Sequence, residues 1–342
     1  MENFDFKQAK ILIDKADQIA LIIHARPDGD CVGSSLALQR VLEKSGKQSC
    51  IISPDEIPEF LQWLPGAEKI IVFEKNKEKA KEVLQNAEMI ILLDFNALHR
   101  AGKVLGELLE SHLPEKKFMM IDHHLQPDIR IPYRFSVPSR ASTAELVYVF
   151  LQKTGLIEYM DKETAECLYT GIMTDTGSFK FGQTSSDTHR ISADLLEQGI
   201  DSALIHSLVY DSFTTEKIKL LSEALRRLKF MEECKTTYIA LDRHTLEQFG
   251  YEPGDTEGIV NYGLALKDAR FTALISQKPD EEIIRFSFRS KGDFDVNAFA
   301  RKYFNGGGHK NASGGSYEGG FDEAVKAFKK AVKENCDQIV KS

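Results

Sequence analysis

Three short apolar runs in the first part of the chain each stop at acidic and histidine residues. Ile19-Ala-Leu-Ile-Ile23 leads into His24-Ala-Arg-Pro-Asp28-Gly-Asp30, Met89-Ile-Ile-Leu-Leu93 into Asp94, and Phe118-Met-Met-Ile121 into Asp122-His123-His124. Apolar runs of this length, bounded by polar turns, predict buried strands. Helical patterns separate them. Residues 31–46 close on Gly46, 76–86 and 98–111 follow, a Ser142–Glu145 capping box opens a helix to Gly155, and residues 161–174 form another. This alternation predicts right-handed crossovers and a mainly parallel sheet. From 187 to 230 the pattern is helical and strongly charged, with a stripe of Leu220, Leu221, Leu225 and Leu228, and residues 213–231 read as an interdomain helix. Beyond it, 237–241, 271–275 and 283–289 are strand-like, with helices between and after them. The expected fold is α/β: a larger N-terminal domain (1–212) with a mainly parallel sheet flanked by helices, a linking helix (213–232), and a smaller C-terminal α/β domain (233–342).

Composition narrows the class. A chain of 342 residues has room for two cores, and 42% hydrophobic with 28% charged residues excludes wholesale disorder. No apolar run is long enough to span a bilayer, and Met1-Glu-Asn-Phe-Asp-Phe-Lys7 lacks an apolar signal core, so a cytoplasmic protein without a membrane partner is expected. Five scattered cysteines, odd in number and without a C-x-x-C pair, predict neither a disulfide framework nor a structural zinc site. A net charge of −8 argues against long duplex DNA as partner but leaves small anionic substrates open.

The candidate chemistry sits where the strands end. Groups that follow parallel strands gather at the carboxyl edge of the sheet, where ligands bind. Carboxylates and imidazoles brought together there, without thiolates, suit Mn²⁺ or Mg²⁺. His24, Asp28, Asp30, Asp94, His123 and Asp175 exceed what one ion takes from a protein and fit two ions sharing a carboxylate. Two such ions, about 3.5–4 Å apart, activate a water and stabilise both oxygens of an in-line phosphoryl displacement. Each residue alone has a plainer reading, an aspartate as helix N-cap or a histidine satisfied in a core. The ordered set after three strands is what points to metal. Asp122 either orients a neighbouring ligand by hydrogen bonding or approaches the metal itself, and the first is preferred. Arg26 and Arg100 are candidate phosphate or carboxylate partners, with a structural ion pair as the competing reading.

A second constellation lies near the C-terminus. Gly306-Gly307-Gly308 permits close backbone approach and would let amides and His309 reach a phosphate or sugar, although the spacing is not that of a nucleotide-triphosphate loop. Alternation along 283–289 puts Arg285, Ser287 and Arg289 on one face, opposite Ile284, Phe286 and Phe288. Lys291, Arg301, Lys302 and Lys310 add local positive charge, and Arg289 is the preferred phosphate clamp. Tyr303, Phe304 and Tyr317 are expected to pack the small domain rather than to stack on bases.

Asp122-His123-His124 after an apolar strand, with His24-Ala-Arg-Pro-Asp28-Gly-Asp30 upstream, resembles the DHH phosphoesterase superfamily. Asp94-Phe-Asn-Ala-Leu-His-Arg100 is similar to its second motif, Gly171-Ile-Met-Thr-Asp175-Thr-Gly-Ser-Phe179 to its fourth, and Gly306-Gly-Gly-His309-Lys-Asn-Ala-Ser-Gly-Gly315 to the signature of the substrate domain that accompanies it. Ala312-Ser313 is a mild departure from the two small residues usual there. Length and C-terminal motif resemble most the bacterial oligoribonuclease/pAp-phosphatase (nano-RNase) group. The resemblance implies that His24, Asp28 and Asp94 hold one Mn²⁺ and that Asp30, Asp94, His123 and Asp175 hold the other, with Asp94 bridging. Mg²⁺ is the alternative cation. His124 would contact the scissile phosphate or assist the leaving group, with Asp122 and Arg100 in supporting catalytic roles. Arg285, Arg289, Gly306, Gly307, Gly308 and His309 would bind substrate in a cleft between the domains. The implied substrates are short oligoribonucleotides or 3′-phosphoadenosine 5′-phosphate, and a homodimer is compatible with the pattern. Rival readings are a phosphodiesterase for linear or cyclic dinucleotides, a pyrophosphatase or polyphosphatase, and a non-catalytic nucleotide-binding module.

Overall fold

In the computed structural model, which describes residues 4–181, 183–211, 213–279 and 281–342, the strand β1 spans Gln18–Ile22 and is buried from its second residue on. Ile19 and Leu21 join one apolar cluster and Ala20 and Ile22 another, the division expected of a strand covered on both faces. β2 (Gln48–Ser53), β3 (Ile71–Val72), β4 (Met89–Leu93), β5 (Lys117–Asp122) and β6 (Tyr133–Ser136) complete a parallel sheet in the order β3-β2-β1-β4-β5-β6. The chain starts at the centre, runs outward to β3, and returns to the other side of β1 as β4. The crevice where strand order reverses therefore lies between β1 and β4, the place where open α/β sheets bind ligands.

The helices of this unit are α1 (Phe6–Lys15), α2 (Gly29–Lys44), α3 (Lys77–Asn86), α4 (Lys103–His112), α5 (Thr143–Thr154), α6 (Lys162–Asp175), α7 (Ser186–Leu196) and α8 (Ser202–Tyr210). Apolar residues of α1, α2, α5 and α6 cover the face of Ile19 and Leu21, and those of α3 and α4 cover the opposite face. Three strands escape the sequence pattern: β3 has two residues, while β2 and β6 interleave polar residues with apolar ones. The helix expected from residue 98 begins at Lys103, because Leu98–Ala101 wind as a 3₁₀ turn closed by Gly102 at φ 80°.

Two glycines decide how closely α2 and α6 meet. A Cβ on Gly33 would lie 2.4 Å from the Cys167 carbonyl and 3.0 Å from the Gly171 nitrogen, so only a bare backbone fits. This approach draws the start of α2, with Asp28 and Asp30, towards Asp175 at the end of α6.

The chain divides into two compact units, 1–212 and 213–342. In the second, α9 (Thr215–Arg226) is followed by β7 (Lys229–Met231), so the helix expected over 213–231 is shorter than its pattern suggested. Leu220 and Ala224 of α9 are buried with Ile239 and Leu241, which makes the helix a part of this unit's core rather than a bare linker. Then come β8 (Thr236–Leu241), α10 (Arg243–Gln248), α11 (Ile259–Gly263), β9 (Phe271–Gln277), β10 (Ile284–Ser290), α12 (Val296–Tyr303), β11 (Gly307–Gly308), β12 (Ala312–Tyr317), α13 (Phe321–Glu334) and α14 (Cys336–Lys341). The sheet order is β11-β12-β10-β9-β8-β7, with β8 and β9 parallel and the other pairs antiparallel. Phe271, Phe286, Phe288, Phe299, Phe304 and Phe328 fill its core. Phe304 is thus core, and the Tyr303 hydroxyl is bonded to Glu334 and Asn335.

The cysteine expectation is corrected. Cys234 and Cys336 form a disulfide with Cα atoms 4.8 Å apart, whereas Cys31, Cys50 and Cys167 are free. A separation of 102 residues and an odd total concealed a pair that meets only because α14 returns to the start of β8. No helix among the described residues is long and apolar enough to cross a membrane.

Gly33→Ala is expected to force α2 from α6 and cost about 1–3 kcal/mol, the usual range for overpacking. Chemical denaturation of the two proteins measures it, and an unchanged midpoint would mean that the helices have slack at this crossing.

Candidate metal centre

The site is assembled at the carboxyl ends of β1, β4 and β5. His24 stands two residues beyond β1, Asp94 follows β4 directly, and Asp122 ends β5 just before His123 and His124. Asp28 caps α2: its Oδ1 accepts from the Asp30 and Cys31 amides, both at 3.1 Å. Its Oδ2 lies 3.8 Å from His24 Nε2. One oxygen of Asp28 therefore caps the helix while the other is turned towards His24.

Asp94 occupies the centre. Its Oδ2 is 3.4 Å from His24 Nε2, and its Oδ1 is 3.5 Å from His123 Nε2. The same His123 nitrogen is 3.4 Å from Asp175 Oδ2 and 3.8 Å from Asp30 Oδ2. Each histidine has its Nδ1 against a backbone carbonyl, His24 on Ala25 at 2.9 Å and His123 on Arg140 at 3.2 Å, which directs Nε2 into the carboxylates. His24, Asp30, Asp94 and His123 are all buried. Asp94 also sits at φ +65°, a left-handed conformation that aspartate tolerates better than most residues.

The start of α5 supplies hydrogen bonds to this centre. Thr143 and Ala144 donate their amides to the two oxygens of Asp30 at 2.6 and 2.8 Å, and the Thr143 hydroxyl donates to Asp94 Oδ1 at 2.9 Å. In the sequence these residues read only as a capping box. Ser142 does cap α5, but the Glu145 carboxylate turns to Arg140 and to the Ala141 amide. Cys31 also escaped notice: its sulfur belongs with His24, Asp28 and Asp94 in a group whose donor atoms all lie within 4.8 Å. Burial, followed by Asp28 and Asp94, raises its pKa well above the ordinary thiol value, so it stays protonated.

The electrostatics describe a site built for cations. Burial, then Asp94, Asp175 and Asp28, push the Asp30 carboxyl well above the ordinary range. Asp175 is pushed up to about 6, first by burial, with Asp94 and Asp28 adding to the rise and the charges of His123 and His124 opposing it. Burial works against ionised Asp94 too, but the His24 hydrogen bond and the charges of His124 and His123 overcome it and hold its carboxyl well below the ordinary range. Burial likewise opposes charging His24 and His123, yet Asp28 and Asp94 raise the first, and Asp175 and Asp94 raise the second. In the absence of a metal, protons on the histidines partly balance the carboxylates. Oxygen and imidazole donors in two groups that meet at Asp94 fit two divalent cations.

Asp122 holds His124 through an Oδ1 to Nδ1 contact of 2.7 Å. Its other oxygen is buried and has no hydrogen-bond partner among the described residues. Arg100 accepts the Ala25 amide on its carbonyl at 2.7 Å, and its charge opposes protonation of His24. The Arg26 amide donates to Asp55 at 2.7 Å.

In the second unit, β10 alternates as expected, with Ile284, Phe286 and Phe288 buried and Arg285, Ser287 and Arg289 on the other face. Arg285 is ion-paired with Glu281 at 2.6 Å and Lys310 with Asp293 at 2.8 Å, so part of the local positive charge is already balanced. Arg289 donates to the Phe288 carbonyl at 2.9 Å. Gly306–Gly308 is no loose turn. Gly307 and Gly308 pair with Gly314 and Ser313, and a Cβ on Gly306 would fall 2.0 Å from the Gly314 carbonyl. Asn297 Oδ1 accepts from both the Gly308 amide at 3.1 Å and Arg301 Nε at 3.0 Å, holding that guanidinium beside the hairpin.

These charges fix a pH dependence for the metal-free protein. His24 and His123 bind protons more tightly folded than unfolded, so their stabilisation is complete below about pH 6.5 and is lost as pH rises through their folded values. Asp175, raised to about 6, acts in the same direction, because ionising it costs stability. The melting temperature in chelator should therefore fall between about pH 5 and pH 8, and an excess of a divalent cation should flatten the profile by taking the place of the protons. A chelated protein that gains stability over that interval would contradict this account of the charges.

Residues 18–172 match the DHH family, N-terminal domain, and residues 235–337 match the DHHA1 domain. The crystal structure of an exopolyphosphatase-related protein from Bacteroides fragilis superposes with a TM-score of 0.91 at 35% identity, covering 98% of this chain and 97% of that one. The bifunctional oligoribonuclease and PAP phosphatase NrnA of Thermus thermophilus is 28% identical over 335 residues, 95% of this chain and 92% of the relative. The cyclic-di-AMP phosphodiesterase PdeA of Listeria monocytogenes is 26% identical over 87% of this chain, but this chain spans only 44% of its length. Both domains in their order, and a fold shared from end to end with a relative, place the chain in the DHH phosphoesterase family: it is a hydrolase with a DHH domain followed by a DHHA1 domain.

Proposed function

We propose that the chain is a cytoplasmic, Mn²⁺-dependent phosphoesterase that hydrolyses short oligoribonucleotides and 3′-phosphoadenosine 5′-phosphate. The observation that carries this reading is Asp94, whose two oxygens face two different histidines at 3.4 and 3.5 Å. His24, Asp28 and Asp94 would hold one cation, and Asp30, Asp94, His123 and Asp175 the other. When bound, such a pair supplies a water that is nucleophilic at neutral pH and neutralises charge on the phosphate. The side chains of the protein do the rest. Asp122 holds His124 by Nδ1, which fixes the ring and presents Nε2 for a phosphate oxygen or for the leaving oxygen. Arg100 adds positive charge beside His24. In the DHHA1 unit, Arg289 would clamp a phosphate, with Arg285 and the Gly306–His309 hairpin beside it. The likeness to NrnA over nearly the whole chain supports this choice of substrate. The likeness to PdeA supports a second reading, a cyclic or linear dinucleotide as substrate.

A panel of 3′-phosphoadenosine 5′-phosphate, di- to pentaribonucleotides, cyclic di-AMP, pyrophosphate and polyphosphate, each with Mn²⁺, tests the substrate. Turnover of pyrophosphate or polyphosphate in preference to every nucleotide would sink the proposal. Asp94→Asn keeps the left-handed backbone but lowers the charge, and should reduce turnover to near background even with excess Mn²⁺. Wild-type rates in that variant would remove the shared carboxylate from the mechanism.

Substrate length gives an independent test. The chain carries a net charge of −8, and near the glycine hairpin Glu281 and Asp293 already balance Arg285 and Lys310. A long strand gains little beyond its first few nucleotides against such a surface. Ribonucleotides of about two to five units should therefore exceed 20-mers in kcat/KM per mole of ends at moderate salt. Equal efficiency on both would favour a general exonuclease.

A further inference from the structure

We propose that residues Arg140–Glu145, the turn into α5, form a positioning segment for the metal centre, with Thr143 as its principal residue; this rests on the two-cation reading above. Four separate bonds from the turn end on three of the proposed donors. The Thr143 and Ala144 amides, at 2.6 and 2.8 Å, hold both oxygens of Asp30. These are the first two amides of a helix, which have no partner inside it and lie at the positive end of its dipole. They stabilise an ionised carboxylate without bringing a cationic side chain that would compete with the metal. The Thr143 hydroxyl, at 2.9 Å, holds Asp94 by Oδ1, the oxygen that faces His123. The Arg140 carbonyl, 3.2 Å from His123 Nδ1, sets that ring.

The turn is itself held rigid. Ser142 accepts the Glu145 amide at 3.0 Å, and the fully buried Glu145 carboxylate accepts from the Arg140 guanidinium, from the Ala141 amide at 3.2 Å and from the Thr188 hydroxyl of α7 at 3.2 Å. Threonine suits the task because its branched β-carbon restricts χ1 and keeps the hydroxyl on Asp94. Gly171 of α6 makes room for the arrangement: a Cβ there would lie 2.6 Å from the Ala144 methyl and 3.1 Å from Asp30 Oδ1. The bonds reach Asp30, Asp94 and His123, three of the four residues proposed for one cation; Asp94, which is shared, is held by the oxygen on the His123 side, and none of the bonds described goes to His24 or Asp28. The segment should therefore affect one cation more than the other.

Calorimetric titration of chelator-treated protein with Mn²⁺ alone, without substrate, tests this. Thr143→Val should weaken one of the two binding events by about tenfold or more, the effect usual for losing a hydrogen bond behind a metal ligand. It should leave the other event nearly unchanged, and Thr143→Ser should restore the affinity. Thr154→Val serves as the control, since it removes a hydroxyl from the same helix whose bonds among the described residues go to the Phe150 and Leu151 carbonyls. It should bind Mn²⁺ like the wild type. On 3′-phosphoadenosine 5′-phosphate at fixed Mn²⁺, Thr143→Val should lose kcat with KM little altered. If Thr143→Val binds both ions as tightly as the wild type, or if it and Thr154→Val weaken alike, the positioning role is overturned. A wild-type protein that takes up no Mn²⁺ would instead overturn the two-cation reading, and the inference with it.

Discussion

Asp28, Asp30, Asp94 and Asp175 crowd together at the end of one sheet, and their mutual repulsion is the constraint to which the surrounding structure answers. Burial makes Asp30 and Asp175 hard to ionise, and the charges of Asp94 and Asp28 add to the cost for both. The answer is made largely of backbone. Asp28 is met by amides at the start of α2, and Asp30 by amides at the start of α5. Helix ends are suited to this, since their amides carry partial positive charge and need acceptors anyway. The centre is thus tolerable when empty and still needs cations to be balanced. For helix ends to converge on so small a volume their axes must approach closely, and Gly33 and Gly171 permit it.

The parts of this arrangement visible in the sequence are those with a one-dimensional signature. Apolar runs stopping at charged residues located β1, β4 and β5, because strands covered on both faces must be apolar throughout. Their polar ends then marked the site. Parallel order alone did not place the crevice between β1 and β4; that follows from the chain returning past β1, which no local pattern encodes. Thr143 was invisible for a related reason. As the residue after an N-cap it looked fully explained, and only folding brings its hydroxyl to Asp94, 49 residues away. The disulfide between Cys234 and Cys336 has the same character, being a contact between ends with no local trace.

The second unit shows a different limit. Alternation in β10 sorted its residues onto two faces, with the phenylalanines inside. It could not show that Glu281 would pair with Arg285, so a run of cations overstates the free charge on that face. The glycine run gave the opposite error. Read alone it suggests looseness, whereas Gly306 and Gly308 are there because neighbouring backbone leaves no space for a side chain.

Asp94 has one further consequence through its backbone. At φ +65° the position suits aspartate, asparagine and glycine and strains other residues, most of all those branched at Cβ. The repertoire of viable replacements is therefore set twice, by conformation and by charge, and the two filters overlap only at aspartate. Glutamate, ordinarily the mildest exchange, keeps the charge but is disfavoured by the turn and carries its carboxylate one carbon too far. An evolutionary path that altered this carboxylate would have to remodel the end of β4 at the same time, which gives this position a rigidity that its chemistry alone would not impose.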